Sequence, residues 1–203
     1  MFASVLGEAD PDLRFQIYDV TQFEYPDDLD DCDGYLITGS RHSVYESNEW
    51  ITRLGEFVVE LNDAKKKLVG ICFGHQLVAH VLGGETAKSS KGWGVGRHET
   101  TLSDPSRPQW SSEFGLLSSH QDQVQSLPDQ ARVIAQSDFC PIAGMAIGEH
   151  IMTLQGHPEF TKAYARDLLG VRRELLGETL YQKGVTSLDE EVHQAVSYTH
   201  LTL

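Results

Sequence analysis

Positive charge is scarce in this sequence: 16 Lys and Arg stand against 30 Asp and Glu, a formal net charge of -14 over 203 residues. That balance repels phosphate backbones and anionic membrane surfaces, so neither nucleic acid nor a membrane is expected as a partner. Long apolar runs are missing too. No stretch approaches the roughly 18 residues that span a bilayer, and Met1–Glu8 lacks the basic start and apolar centre of a signal peptide. Cysteine is thin: Cys32, Cys72 and Cys140 are far apart and form no CxxC pair, which points away from a disulfide framework and from a zinc cage. Internal repeats, linker-like stretches and low-complexity tracts are also absent. A soluble, cytoplasmic protein with one compact domain and reduced thiols is the expectation.

The apolar pattern that is present alternates between two periods. Leu13–Val20 (LRFQIYDV) reads as a strand, and Gly34–Thr38 (GYLIT) as a short apolar strand ending at Gly39. From Ser47, placed to cap, the residues Trp50, Leu54, Phe57, Val58 and Leu61 recur at helical spacing, with Lys65–Lys67 suiting the far end of the helix dipole. Leu68–Ile71 reads as a buried strand, and His75–Leu82 as a helix stopped by Gly83 and Gly84. Strand, helix, strand, sharp turn, helix is a parallel α/β arrangement. Beyond it, strands are expected at Gly94–Leu102, Arg132–Gln136, Pro141–Ile147 and Ile151–Gln155, partly antiparallel, before a helix over Thr161–Leu176.

Cys72 stands where an apolar strand meets a helix, in GICFGHQ (Gly70–Gln76). Ligands of open α/β sheets bind beyond the carboxyl ends of strands, and the positive end of a helix dipole favours a thiolate, the nucleophilic form of cysteine. Gly70 and Gly74 allow the tight turn of a G-x-S-x-G type elbow, and the Phe73 amide then faces a developing oxyanion. An inert core cysteine in a glycine-rich turn remains the competing reading of these letters.

A nucleophile needs a base. His75 lies close in sequence but, three residues along a helix, points away and reads as structural. His157, in QGHPE at the end of the run Ile151–Leu154, is better placed, and an extended backbone before Pro158 would send His157 and Glu159 to one side. Glu159 would then orient the imidazole. After the strand ending near Thr38, the amides of Gly39 and Ser40 can line the same crevice. Gln76, one helical turn after Cys72, offers an amide to a polar substrate.

Taken together these stretches resemble the class I glutamine amidotransferases. GICFGHQ looks like that family's nucleophile motif, GHPEF its His/Glu motif, ITGS its oxyanion strand and SSHQDQV (Ser118–Val124) the loop that helps hold the glutamyl group, in register over roughly Asp33–Leu169. The resemblance implies a flavodoxin-like three-layer α/β sandwich with a mostly parallel central sheet and extra antiparallel strands. It makes Cys72 the nucleophile, His157 the base and Glu159 its partner. Gly39, Ser40 and Phe73 become oxyanion candidates, and Gln76, Gln121 and Asp122 substrate-side candidates. The implied reaction is hydrolysis of the γ-glutamyl amide bond of glutamine or a γ-glutamyl compound through a cysteine thioester, with no metal and no cofactor. KGWGVG (Lys91–Gly96) is similar to the stand-alone branch that includes GMP-synthase-like amidotransferases and γ-glutamyl peptidases. The expected partners are a small γ-glutamyl substrate and an ammonia-accepting synthetase.

Two departures from the family pattern shape the remaining expectations. Met1–Leu6 resembles the end of the first helix, which implies that the first strand is missing and leaves a gap of one strand, about 10 Å, between Arg14–Val20 and Gly34–Thr38. The expected organisation is therefore an amidotransferase domain over residues 1–196 followed by a tail, 197–203 (SYTHLTL), that matches nothing in the family. A catalytically silent regulatory or binding module of the same fold, and a thiol hydrolase of α/β-hydrolase type, are the competing readings.

Overall fold

The structure, a computed structural model, describes residues 1–104 and 107–189; the sequence expectation for the tail 197–203 lies outside the described residues. The chain runs α1 (Phe2–Ala9), β1 (Gly34–Ile37), α2 (Glu49–Asp63), β2 (Lys67–Ile71) and α3 (Phe73–Val81), then β3 (Glu85–Lys88), β4 (Gly94–Asp104), β5 (Arg107–His120) and β6 (Asp122–Ser126). It continues through β7 (Ala131–Gln136), β8 (Gly144–Ile147) and β9 (Ile151–Leu154) to α4 (Lys162–Val171), α5 (Arg173–Leu176) and α6 (Glu178–Asp189). One sheet has the order β1-β2-β9-β8-β7-β4-β5, while β3 and β6 pair separately. The pairs β1–β2 and β2–β9 are parallel, and every pair from β9 outward to β5 is antiparallel.

Alternation along the strands explains the layers. Leu68 and Ile151 face the cluster formed with Leu54, Phe57, Val58 and Leu61 of α2 and Leu77 of α3, whereas Ile71 and Leu154 face the opposite side, where Phe2 of α1 packs. Burying each of these large side chains contributes about 2 kcal/mol. A third cluster joins Ala165 and Leu169 of α4 and Leu188 of α6 to Val95 and Leu117 on the β4–β5 ladder. No described helix is long and apolar enough to cross a membrane.

Four local expectations are corrected. Leu13–Val20 forms no strand: residues 13–19 join no ladder, a 3-10 turn occupies Val20–Gln22, and Ile17 is 83% exposed. An alternating segment becomes a strand only where a neighbour takes up its amides and a layer covers one face. The expected 10 Å offset therefore has no strand to be measured from, and among the described strands β1 pairs with β2 alone. At the start of α2 the cap position is Asn48 rather than Ser47, and the Asn48 side chain donates to Glu46 instead of capping. The helix expected over Thr161–Leu176 is broken at Arg172, where φ is -93° and ψ 3°. The strands β3, β5 and β6 and the helix α6 lie in stretches to which the sequence pattern assigns no strand or helix, and Ser118–Val124, read as a loop, falls largely within β5 and β6.

Candidate active site

β2 ends at Ile71, and the next residue is forced into an unusual shape. Cys72 has φ 54° and ψ -99°, a half of conformational space that residues with a Cβ rarely enter. Its backbone is fastened on both sides, the amide donating to Leu154 O at 2.8 Å and the carbonyl accepting from the Gln76 amide at 3.0 Å. The two flanking glycines are demanded by space. A Cβ on Gly70 would stand 2.7 Å from the Gly74 carbonyl, and one on Gly74 would stand 2.4 Å from Ile37 O. β1, β2 and the first turn of α3 thus close on one another at a distance only glycine permits. Phe73 opens α3, so its amide is one of the donors that a helix leaves without an internal partner.

His157 arrives from across the sheet. Its amide donates to Leu117 O at 2.8 Å, which hooks the loop after β9 onto β5. The ring is held on three sides. Nδ1 donates to Glu159 Oε1 at 2.7 Å, the Phe160 ring stacks on it at 3.8 Å, and Gly39 borders its edge. A Cβ on Gly39 would lie 2.9 Å from His157 Cε1 and 3.6 Å from Cys72 Cβ, so the sequence-predicted Gly39, Cys72 and His157 meet at one point. His157 and Glu159 are buried, and among the described residues Glu159 Oε2 has no hydrogen-bond partner. Burial opposes charge on the imidazole, yet hydrogen bonding to the Cys72 sulfur and to Glu159, with their negative charges, raises its pKa to about 9. The arrangement is a thiol, an imidazole and a carboxylate in series, suited to nucleophilic attack with proton transfer.

The other sequence-predicted residues are placed as follows. Ser40 accepts the His42 amide at 3.2 Å through its Oγ, so its hydroxyl shapes the loop after β1. Gln76 is buried, and its amide donates to Asp122 O at 2.8 Å and to Gln155 Oε1 at 3.0 Å. Its donors are committed inside the core, where they brace the segment before β6 against α3. Asp122 accepts from Ser43 Oγ at 2.5 Å and from Tyr45 OH at 3.1 Å, which ties that segment to the loop following β1. Gln121 accepts the Ser89 amide at 2.9 Å through its carbonyl and is half-buried.

His75 is structural, as its helical position implies. Burial lowers its pKa to about 4; with Nε2 donating to Ile142 O at 3.1 Å, Nδ1 accepts from Thr153 Oγ1 at 2.7 Å. His120, which sequence reasoning passed over, is likewise held neutral: burial lowers its pKa to about 3 while Nδ1 donates to Asp122 O at 3.0 Å. Burial pushes the Cys140 thiol up to about 12, which leaves it an inert neighbour at ordinary pH. Among the described residues, no group of three or more His, Cys, Asp or Glu side chains is placed to hold a metal ion. Phe160 was also missed, although GHPEF displays it; an aromatic next to a motif says nothing of which ring it will cover.

Comparison with known proteins agrees with this architecture. Residues 8–168 match the family described as glutamine amidotransferase class-I. Gamma-glutamyl peptidase 3 of Arabidopsis thaliana is 33% identical over 172 residues, covering 80% of this chain and 68% of that protein. The glutamine-hydrolyzing GMP synthase of Thermomicrobium roseum is 28% identical over 169 residues, which is 78% of this chain and 31% of that protein. A glutamine amidotransferase crystal structure from Thermotoga maritima aligns with a TM-score of 0.76 at 18% identity, covering 93% of this chain and 84% of that one, a likeness of fold. By the family match over residues 8–168 and its likeness to these relatives, the chain belongs to the class-I glutamine amidotransferases.

Proposed function

We propose that this chain hydrolyses the γ-glutamyl amide bond of glutamine or of a γ-glutamyl peptide, with Cys72, His157 and Glu159 acting as a triad. The observation that carries the reading is the buried His157 ring fixed between Glu159 and Cys72, with a pKa raised to about 9 by those two partners after burial has opposed it. The charged imidazole beside Cys72 favours its reaction as the thiolate, the nucleophilic form of cysteine. Cys72 Sγ attacks the γ-carbonyl carbon, and the electron pair of the C=O bond moves to oxygen, where the amides of Phe73 and the Gly39–Ser40 segment are the donors at hand. Collapse breaks the C–N bond, and His157 gives its proton to the departing nitrogen. Water then loses a proton to His157 and attacks the thioester, releasing glutamate and restoring the thiolate. Glu159 holds the ring in one tautomer and offsets its charge throughout.

Relatives named as γ-glutamyl peptidases favour a stand-alone hydrolase, and one named as a GMP synthase keeps an ammonia-accepting synthetase as the partner to be sought. The absence of a disulfide among three separated cysteines fits a cytoplasmic setting. The test offers the purified chain glutamine and several γ-glutamyl peptides in parallel and measures glutamate release. Turnover that disappears in Cys72→Ala supports the reading. Equal turnover in that variant, or none in the parent with any γ-glutamyl compound, overturns it.

A further inference from the structure

Most arginines near folded carboxylates in this acidic chain are paired: Arg53 with Glu60, Arg132 with Asp104, Arg166 with Asp189 and Arg173 with Glu178. Arg172 differs. It occupies the break between α4 and α5, and its Nη1 alone is engaged, donating to Ser119 O at 3.0 Å and to Ser119 Oγ at 2.6 Å. Its guanidinium lies over the Trp93 ring, 5.2 Å from the ring centre. Among the described residues it forms no ion pair, and Nη2 and Nε bond to no other described side chain or carbonyl.

The position of this cation is set by the same strand that holds His157. Ser119 stands opposite Val95 in the β4–β5 ladder, two residues beyond Leu117, whose carbonyl takes the His157 amide. Burial lowers the guanidinium pKa while the charges of Cys72 and Tyr164 oppose that fall, so the nucleophile and Arg172 share one electrostatic neighbourhood. A half-buried guanidinium with free donors and no carboxylate costs desolvation that an incoming anion would recover. The planar fork fixed at one nitrogen and stacked on an indole is pre-oriented for a carboxylate.

We propose that Arg172 is the carboxylate-binding residue of the substrate crevice, selecting γ-glutamyl compounds through a free carboxylate. This rests on the γ-glutamyl reading above. Two carboxylates carry the required chemistry: the α-carboxylate of the glutamyl group and the C-terminal carboxylate of a peptide leaving group.

The experiment measures kcat and KM of the wild-type chain, Arg172→Gln and Arg172→Lys on four substrates: glutamine, glutamine amidated at its α-carboxylate, a γ-glutamyl dipeptide, and that dipeptide amidated at its C-terminus. Wild type should favour one free carboxylate over its amide by about tenfold or more in KM. Arg172→Gln should erase that preference with kcat held within a few-fold, and Arg172→Lys should restore part of it. Erased preference on the glutamine pair assigns the α-carboxylate; on the dipeptide pair it assigns the leaving group. Because each preference is a ratio within one protein sample, partial misfolding leaves it unchanged. A variant that keeps both preferences, or loses kcat equally on all four substrates, overturns the proposal and makes Arg172 a strap for Ser119. A wild type inactive on all four instead removes the γ-glutamyl reading on which it rests.

Discussion

The turn around Cys72 and the segment 13–19 make the more instructive pair of regions in this molecule, because both follow apolar stretches that read as strands. β2 lies between β1 and β9, so its amides are taken up on both edges and Leu68 is 0% exposed. The segment 13–19 has no ladder, and Leu13, Phe15 and Ile17 remain exposed. β2 reads as a strand from a continuous apolar run, and the segment 13–19 from alternation. What separates them is neighbours: one is over-determined by contacts from distant parts of the chain, and the other has local pattern without partners.

Breaking the over-determined region should have the largest effect. Gly74→Ala places a methyl group 2.4 Å from Ile37 O, and since that contact is backbone, β1 or α3 must move. The expected loss is about 3 kcal/mol or more of unfolding free energy, read from urea melts, with loss of glutamate release. Wild-type stability in the alanine variant would show that the elbow is looser than its glycines imply.

Acid should weaken the same region next. His75 beneath the turn has its pKa depressed from 6.5 to about 4 by burial, and His120 to about 3. The unfolded chain therefore binds protons that the fold refuses, so stability is full above pH 6.5, falls as pH drops below it, and the His75 contribution is fully lost near pH 4. Each group contributes on the order of 3 kcal/mol. Melts from pH 8 to pH 5 that show no downward slope toward acid would contradict neutral burial of these rings.

Glu159→Gln tests the chemistry rather than the frame. It keeps the shape but removes the charge that helps raise His157, so kcat should fall by roughly 100-fold and the alkaline limb of the activity profile, expected near 9, should move to lower pH. His157 sits on the raised side, so its charged pair stabilises the fold below pH 6.5 and that contribution is lost as pH rises through about 9. An unmoved limb would separate Glu159 from the imidazole functionally.

The smallest effect belongs to the other region. Ile17→Ser, at a side chain 83% exposed, should change unfolding free energy by no more than about 0.5 kcal/mol. A loss of several times that value would mean that residues 13–19 are covered by something in solution.

What the sequence determined by itself is local or repeated chemistry. Gly70 and Gly74 mark the turn around Cys72 within five letters, because a strand-to-helix turn this tight brings backbone too close for a Cβ at those two positions. The apolar face of α2 was legible from its helical period, and β2, β8 and β9 as short apolar runs, because strands covered on both sides carry few polar residues. His157 and Glu159 were readable as a pair from their two-residue spacing, although the structure sets Pro158 and Glu159 in a turn, with the Phe160 amide donating to His157 O at 3.4 Å, rather than on the extended backbone expected. Tertiary structure decided the rest. The hook between His157 and Leu117, the tie from Gln76 to Asp122 and from Asp122 to Ser43, the Phe160 stack and the broken helix that turns Arg172 onto Ser119 all depend on geometry the letters do not carry. Segments far apart in the chain meet only once the sheet has set its order, and the same energetics left residues 13–19 outside it: backbone groups pair where the fold brings a partner, not where a pattern invites one.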